Sequence, residues 1–384
     1  MNREALKGWR IGSVAGIPID IAPSWILVAV LIFWSLGAYV FPMVAPGLSF
    51  YAVWPASAIA TILFFVSLLG HELSHSLVSL RFGMRVLRIV LFVFGGISET
   101  VQEMPSAIAE FWVAIAGPLA SLLFAAVFMV LSAAASQLGM PATAIVFSWL
   151  GIANAILAVF NLLPGFPLDG GRVLRSILWG ATGNYLRATH WGSVAGKGVA
   201  LLLGVWGLAR GFGQGDWFGT IWVGLLGFLL YNAADAAYKQ AVMLDALRNV
   251  PVRNVMRLDI HPLREDATLP EAVDEVMARY PDQAFPVADP EQHFRGILST
   301  DQVESVPPPF RGRIRVTELM RPIDDGAAID PDTPATRALE RMYATGVDPL
   351  PVCDDGRLVG LVGESDLVRY LRWHPELIER AEKS

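Results

Sequence analysis

Leu68-Leu69-Gly70-His71-Glu72-Leu73-Ser74-His75-Ser76 sets two histidines and a glutamate inside an apolar run. From Ile21 to Gly70 there is no Asp, Glu, Lys, Arg or His, so these are the first ionisable groups after a long silence. On a helix, positions i and i+4 share a face, so His71 and His75 can hold one metal ion between them. Glu72 lies about a hundred degrees further round the same helix, near enough to act on a water at that metal. Ionisable groups within a membrane are costly, and three together mark a functional site.

Composition supports a membrane setting for that run. The chain of 384 residues is 54 % hydrophobic and 17 % charged, where soluble proteins have roughly a quarter charged. The mean hydropathy is +0.48. Most acidic residues fall after Leu244, which predicts a membrane unit followed by a polar one. The one cysteine, Cys353, excludes an intramolecular disulfide framework and any multi-thiolate metal site. The formal net charge of -6 gives no pointer to nucleic acid. Arg3, Glu4, Lys7 and Arg10 break up the opening residues, so no cleavable leader is expected.

Four apolar segments, 23–43, 51–80, 111–136 and 143–163, each reach the roughly twenty residues needed to cross about 30 Å of hydrocarbon. Two weaker ones follow at 194–211 and 217–231, and in the first Lys197 and Arg210 can snorkel to opposite interfaces. Basic residues orient the set. Arg3, Lys7 and Arg10 precede the first segment; Arg81, Arg85 and Arg88 follow the second; Arg172, Arg175 and Arg187 follow the fourth; Lys239 and Arg248 follow the sixth. The turns near Pro46 and Pro141 carry none. The positive-inside rule then predicts six spans with both termini cytoplasmic.

Two stretches read as extended. Ile17, Ile19 and Ile21 alternate at the strand period, with Gly12 and Gly16 as turn points of a hairpin. Pro18 would confine its arm to an edge. Residues 86–94, rich in β-branched and aromatic side chains, read as a strand that breaks into a tight turn at Gly95-Gly96-Ile97-Ser98 beside the histidine helix. An open edge there could pair with an extended substrate; the bland alternative is an interfacial hairpin.

The histidines lie six and ten residues before Arg81, about 9–15 Å inside the cytoplasmic boundary. The fourth segment ends on that side in Asn161-Leu162-Leu163-Pro164-Gly165-Phe166-Pro167-Leu168-Asp169-Gly170-Gly171-Arg172, where prolines and glycines must unwind the backbone. Asp169 is the carboxylate offered at that depth. Catalytic zinc commonly takes three protein ligands and a water, so His71, His75 and Asp169 could complete a set. A plain helix N-cap is the alternative for Asp169.

These motifs resemble the site-2 protease family of intramembrane zinc metalloproteases. His71-Glu72-Leu73-Ser74-His75 matches its first motif and Asn161 through Arg172 its second. Phe94-Gly95-Gly96 and Ala116-Gly117-Pro118 fall where the family has a glycine turn and a kinked third helix. The resemblance spans roughly residues 9–235. It implies Zn2+, one per chain, with Asp169 as third ligand, Glu72 as general base and Asn161 holding substrate or oxyanion. Gly95 and Gly96 would form a substrate strand or cavity wall. The expected substrate is a transmembrane or membrane-associated regulatory protein.

After Lys239 an internal repeat appears. Val252-Arg253-Asn254-Val255-Met256 recurs as Val316-Thr317-Glu318-Leu319-Met320, Phe285-Pro286-Val287 as Leu350-Pro351-Val352, and Gly296-Ile297-Leu298 as Gly360-Leu361-Val362. Amphipathic helices are expected at 269–279 and 336–344. The unit resembles a pair of cystathionine-β-synthase (CBS) domains, which often bind adenine nucleotides in the cleft between repeats. The family favours Gly-x-x-Thr/Ser-x-x-Asp after the last strand. Repeat one has Ser299 but Gln302 in the acid's place, and repeat two has Asp366 but Gly363 in place of the hydroxyl. Ser299 and Asp366 are the candidate nucleotide contacts, against a structural or homodimerising role for the pair.

The expected architecture is a polytopic α-helical membrane protein, with about six transmembrane helices and a small membrane-associated β element, followed by a cytoplasmic α/β tandem CBS module. The expected divisions are 1–240 for the protease, 241–250 for a linker, 251–310 and 311–374 for the repeats, and 375–384 for a tail. Two rival functions are a CBS-regulated transporter and a catalytically inactive scaffold. A transporter would spread ionisable groups over several spans, whereas here they gather at one depth. A scaffold would lack a ligand or the base, and neither is missing.

Overall fold

The computed structural model describes residues 8–92, 95–100, 104–280, 284–322 and 328–383, in two compact units, Met1–Lys239 and Gln240–Ser384. Arg3, Glu4 and Lys7, and the strand end at Val93 and Phe94, lie outside the described residues.

The first unit opens with a hairpin of β1 (Trp9–Val14) and β2 (Ile17–Ile21). Ala15 and Gly16 both take positive φ, 52° and 79°, the two-residue turn whose twist matches that of the strands. Helix α1 (Pro23–Val44) and helix α2 (Phe50–Arg81) follow. Strand β3 (Val86–Phe92) runs parallel to β2, and β4 (Gly95–Thr100) runs antiparallel to β3, giving the order β1-β2-β3-β4.

Two strand expectations need correction. β2 is an interior strand, although Pro18 was expected to keep it at an edge. β3 pairs with β2 only from Ile19 onward, so the missing N–H of Pro18 removes no bond from that ladder. Gly95-Gly96-Ile97-Ser98 is strand and not turn, pairing residue for residue with Phe92, Leu91, Val90 and Ile89. Gly95 takes φ 128°, a conformation suited to glycine, and Gly96 accommodates a close neighbour, identified below.

The inner face of the sheet, Ile17, Ile89 and Leu91, is buried against Trp25 and against Leu69 and Leu73 of α2. Each such side chain contributes about 1.5–3 kcal/mol when buried. Leu69 and Leu73 bracket His71 and Glu72 in sequence, so docking the sheet fixes the rotation of α2 at the motif.

Helices α3 (Ala107–Gln137) and α4 (Pro141–Asn161) come next, then the shorter α5 (Asp169–Thr182), α6 (Tyr185–Gln214) and α7 (Trp217–Leu247). All but α5 are long and apolar enough to cross a membrane. Leu27, Leu31 and Trp34 of α1, Leu123 and Val130 of α3, and Phe218 and Ile221 of α7 remain exposed, as lipid-facing side chains must. Leu36, Phe41, Ala60 and Leu150 form an apolar core joining α1, α2 and α4. Buried hydroxyls on α2 donate to the preceding turn, Ser57 to Val53, Thr61 to Ser57 and Ser79 to His75, so none is stranded.

The fifth span starts nine residues earlier than hydropathy suggests, at Tyr185 in place of Val194. The Asn184 side chain caps it, accepting from the Arg187 N–H at 2.7 Å. Lys197 and Arg210 do not simply snorkel. Lys197 binds Asp235 of α7 at 2.6 Å, and Arg210 binds Asp216 at 2.8 Å.

In the second unit, β5 (Leu263–Arg264), β6 (Ala284–Ala288), β7 (Phe294–Ser299) and β8 (Arg321–Pro322) form one sheet in that order. Strands β9 (Leu350–Asp354) and β10 (Arg357–Val362) form a second hairpin. The repeats exchange strands. Arg257, just after the first Val-x-x-x-Met, bridges to Leu361 on β10, while Arg321, just after the second, pairs with Ile297 on β7. A side chain on Gly296 would strike the Met320 sulfur and the Arg321 carbonyl; one on Gly360 would meet the Met256 sulfur and the Arg257 carbonyl. Each repeat therefore needs its glycine where the other's strand crosses.

Candidate metal centre

His71 and His75 stand on one face of α2, both buried, at 2 % and 6 % exposure. Asp169, the first residue of α5, meets them across the bundle. His71 Nε2 and His75 Nε2 are 3.2 Å apart, and Asp169 Oδ2 lies 3.3 Å from the first and 3.2 Å from the second. Asp169 is not an N-cap: that position belongs to Leu168, and no side chain caps the helix.

The triangle fits zinc. Bonds of about 2.0–2.1 Å in a tetrahedron put ligand atoms about 3.3 Å apart. The outer hydrogen bonds agree. His75 Nδ1 lies 2.6 Å from the Val113 carbonyl, which can only accept, so Nδ1 carries the hydrogen and Nε2 the lone pair. His71 Nδ1 lies 2.9 Å from Ser121 Oγ, which holds its ring with Nε2 toward the same point. The His75 Nε2 lone pair, His71 Nε2 and a carboxylate thus converge on one point, a donor set that suits a cation. Such outer contacts orient ligating histidines.

Two glycines make room for this geometry. A methyl on Gly117 of α3 would meet His75 Nε2 and His71 Nε2, and one on Gly96 of β4 would fall on the Glu72 side chain. The Glu72 side chain therefore reaches from α2 to the backbone of β4. Ser76 Oγ donates to Ser98 Oγ at 3.0 Å, tying the same strand to α2 one turn on.

The unwound link from α4 to α5 is packed backbone to backbone. A side chain on Gly165 would strike Gly196 of α6, and one on Gly171 would strike Gly165 itself. Asn161 ends α4, half-buried, and its side chain makes no hydrogen bond among the described residues. Sequence reasoning missed Val113, Ser121 and the space-making role of Gly117. No sequence signal singles them out, because α3 carries ten alanines and two further serines among which small residues at 117 and 121 do not stand out.

In the second unit, Ser299 and Asp366 differ. Ser299 lines a cavity with Thr300, Asp301, Arg321 and Asp348, while its hydroxyl donates to Gln302 Oε1 at 3.0 Å. Gln302 Nε2 also donates to the Leu319 carbonyl at 2.9 Å, so the amide in the acid's place serves the fold. The Asp366 carboxylate is 0 % exposed. It accepts from Arg257 Nε at 3.1 Å, the Gly363 N–H at 2.9 Å and the Arg369 guanidinium at 2.6 Å. A second cavity, lined by Arg257, His261, Tyr280 and Arg369, does not include it.

Sequence comparison matches the model of peptidase family M50 to residues 59–145 and 133–205, and that of the CBS domain to 252–304 and 316–372. Rip3 of Mycobacterium tuberculosis, named as a candidate zinc metalloprotease, is 31 % identical over 94 % of this chain and 92 % of its own length. This chain belongs to peptidase family M50. The likewise named sll0528 of Synechocystis is 31 % identical over 94 % of this chain and 95 % of its own. The solved site-2 protease of Methanocaldococcus jannaschii shares 27 % identity, covering 60 % of this chain and 95 % of that one, with a TM-score of 0.41. As an M50 member the chain is a multi-pass membrane zinc metalloprotease of the site-2 type, carrying a CBS pair.

Proposed function

We propose that the chain cleaves a transmembrane or membrane-associated regulatory protein with one zinc ion held by His71, His75 and Asp169, and with Glu72 as general base. The carrying observation is the triangle of ligand atoms 3.2–3.3 Å on a side, with Glu72 next to His71 in sequence and its side chain against Gly96 of β4. Zinc there supplies a Lewis acid and a source of hydroxide at neutral pH. Glu72 takes the proton from the attacking water and later delivers it to the leaving amine, so the peptide bond breaks without a free strong acid or base. Asn161, the last residue of α4, with its amide uncommitted among the described residues, donates to the substrate carbonyl oxygen as charge develops.

A substrate helix must unwind before attack, because its carbonyls are engaged. Strand β4 is the edge of its sheet and runs past Glu72. An unwound segment pairing with that edge, at Gly95 and Gly96, would be held extended beside the base. The basic flanks support an orientation with both termini cytoplasmic. The CBS pair then lies on that side, where an adenine nucleotide in the Ser299 cavity, or pairing of modules between two chains, would modulate access.

The test is Glu72→Gln in the full chain, with a co-expressed membrane substrate found by comparing membrane proteomes of the two. Cleavage should fall about 10²- to 10⁴-fold while zinc content stays that of the parent. Cleavage surviving the change would remove Glu72 from the mechanism.

A further inference from the structure

The metal centre depends on two helices that share no backbone link near it. Helix α3 supplies the Val113 carbonyl that orients His75 and the Gly117 gap that admits both rings. Helix α5 supplies Asp169. One buried ion pair joins them. Glu110 of α3 is 0 % exposed, and its Oε1 accepts from Arg175 Nε of α5 at 2.7 Å and from a second nitrogen of the same guanidinium. Glu110 lies one helical turn before Val113, and Arg175 lies on α5 behind Asp169.

Arg175 is itself held on two sides. The Phe166 ring, in the link just before Asp169, stands 4.8 Å from the guanidinium carbon, and the Tyr185 ring, at the start of α6, stands 4.7 Å away. Phe166 is buried, and its N–H donates to the Gly192 carbonyl of α6 at 3.1 Å. The guanidinium is thus the point where the link, α5, α6 and α3 meet. As a source of stability the pair is poor. Both Arg175 donors converge on one oxygen, and Glu110 Oε2 is buried without a hydrogen-bond partner. A desolvated pair with an unpaired oxygen is commonly matched or bettered by apolar side chains of similar size. What such side chains lack is direction.

We infer that Glu110 and Arg175 are positioning residues, a clamp that sets the Asp169 carboxylate against the two histidines and so determines how tightly the site holds zinc. The inference rests on His71, His75 and Asp169 being the ligands. Neither clamp residue touches the metal position or the substrate; each acts through the helix that bears it.

The experiment uses the full chain purified in detergent, with Zn2+ titrated against a competing chelator and melting followed separately. Three variants are compared, Glu110→Gln, Arg175→Met, and the apolar pair Glu110→Leu with Arg175→Met, with Asp169→Ala as control. Each single change should weaken zinc binding about 10- to 100-fold, the range of outer-contact losses at metal sites. The apolar pair, which strands no charge, should melt close to the parent yet keep the weakened zinc binding, a split that a merely structural pair would not produce. Parental zinc affinity in the apolar pair overturns the clamp. So does failure of all three variants to give monodisperse protein, since the pair then serves folding as a whole. If Asp169→Ala binds zinc like the parent, it is the ligand assignment that falls.

Discussion

The two units each contain a carboxylate facing two basic or nitrogenous partners, half-buried at Asp169 and buried at Asp366, and they differ in what is left over. Asp169 meets the inward Nε2 atoms of two imidazoles, of which His75 presents a lone pair, so the point gathers metal-ligating atoms. Asp366 meets two guanidiniums and an N–H, so every acceptor there has a donor. The first donor set suits a cation, and the second carboxylate is already supplied with donors. Charge alone would rank them alike; the kind of partner separates them.

That contrast can be broken most severely at the metal. His71→Ala or Asp169→Ala should leave protein that folds but retains no zinc on metal analysis, with cleavage at background. Gly117→Ala comes next, because its methyl would occupy the space of both Nε2 atoms. Zinc affinity should drop beyond the roughly 10- to 100-fold of ordinary outer-contact changes. Ser121→Ala leaves His71 without its Nδ1 partner and should cost about tenfold in zinc affinity, with melting little altered. Asp366→Asn reverses the pattern. It should lower the stability of the second unit by about 1–3 kcal/mol in a denaturant titration. Any affinity of the full chain for AMP or ATP should move by less than about threefold, or 0.7 kcal/mol. A large loss of nucleotide affinity with stability intact would mean that Asp366 leaves its arginines for a ligand, and the contrast would fail.

Much of the fold was legible because lipid imposes a coarse rule that composition can reveal. The silences in charge mark the first four spans, and the metal residues stand out because they end one silence and close another. Hydropathy misplaced the start of α6 because it stops at ionisable groups. The helix begins before Arg187 and His190, where the Asn184 cap and the edge-to-face contact of His190 with Tyr238 hold it. The strand at Gly95–Ser98 reads as a turn because glycine pairs are ambiguous; the structure gives Gly95 a positive φ and Gly96 the close approach of Glu72. In the site, the three ligands and Glu72 carry chemistry in their side chains. Gly117 acts by lacking a side chain and Val113 acts through its backbone carbonyl, so neither leaves a chemical signature in the sequence.

The exchange of strands between the two CBS repeats has a consequence for how the module can be divided. Arg257 completes the hairpin of the second repeat, and Arg321 completes that of the first. A polypeptide ending between the repeats would carry a strand with no sheet to join and a sheet with an open edge. Its natural complement is the other half, added as a separate molecule. The module is in effect a dimer written on one chain, and two fragments supplied together should reassemble where either alone would aggregate.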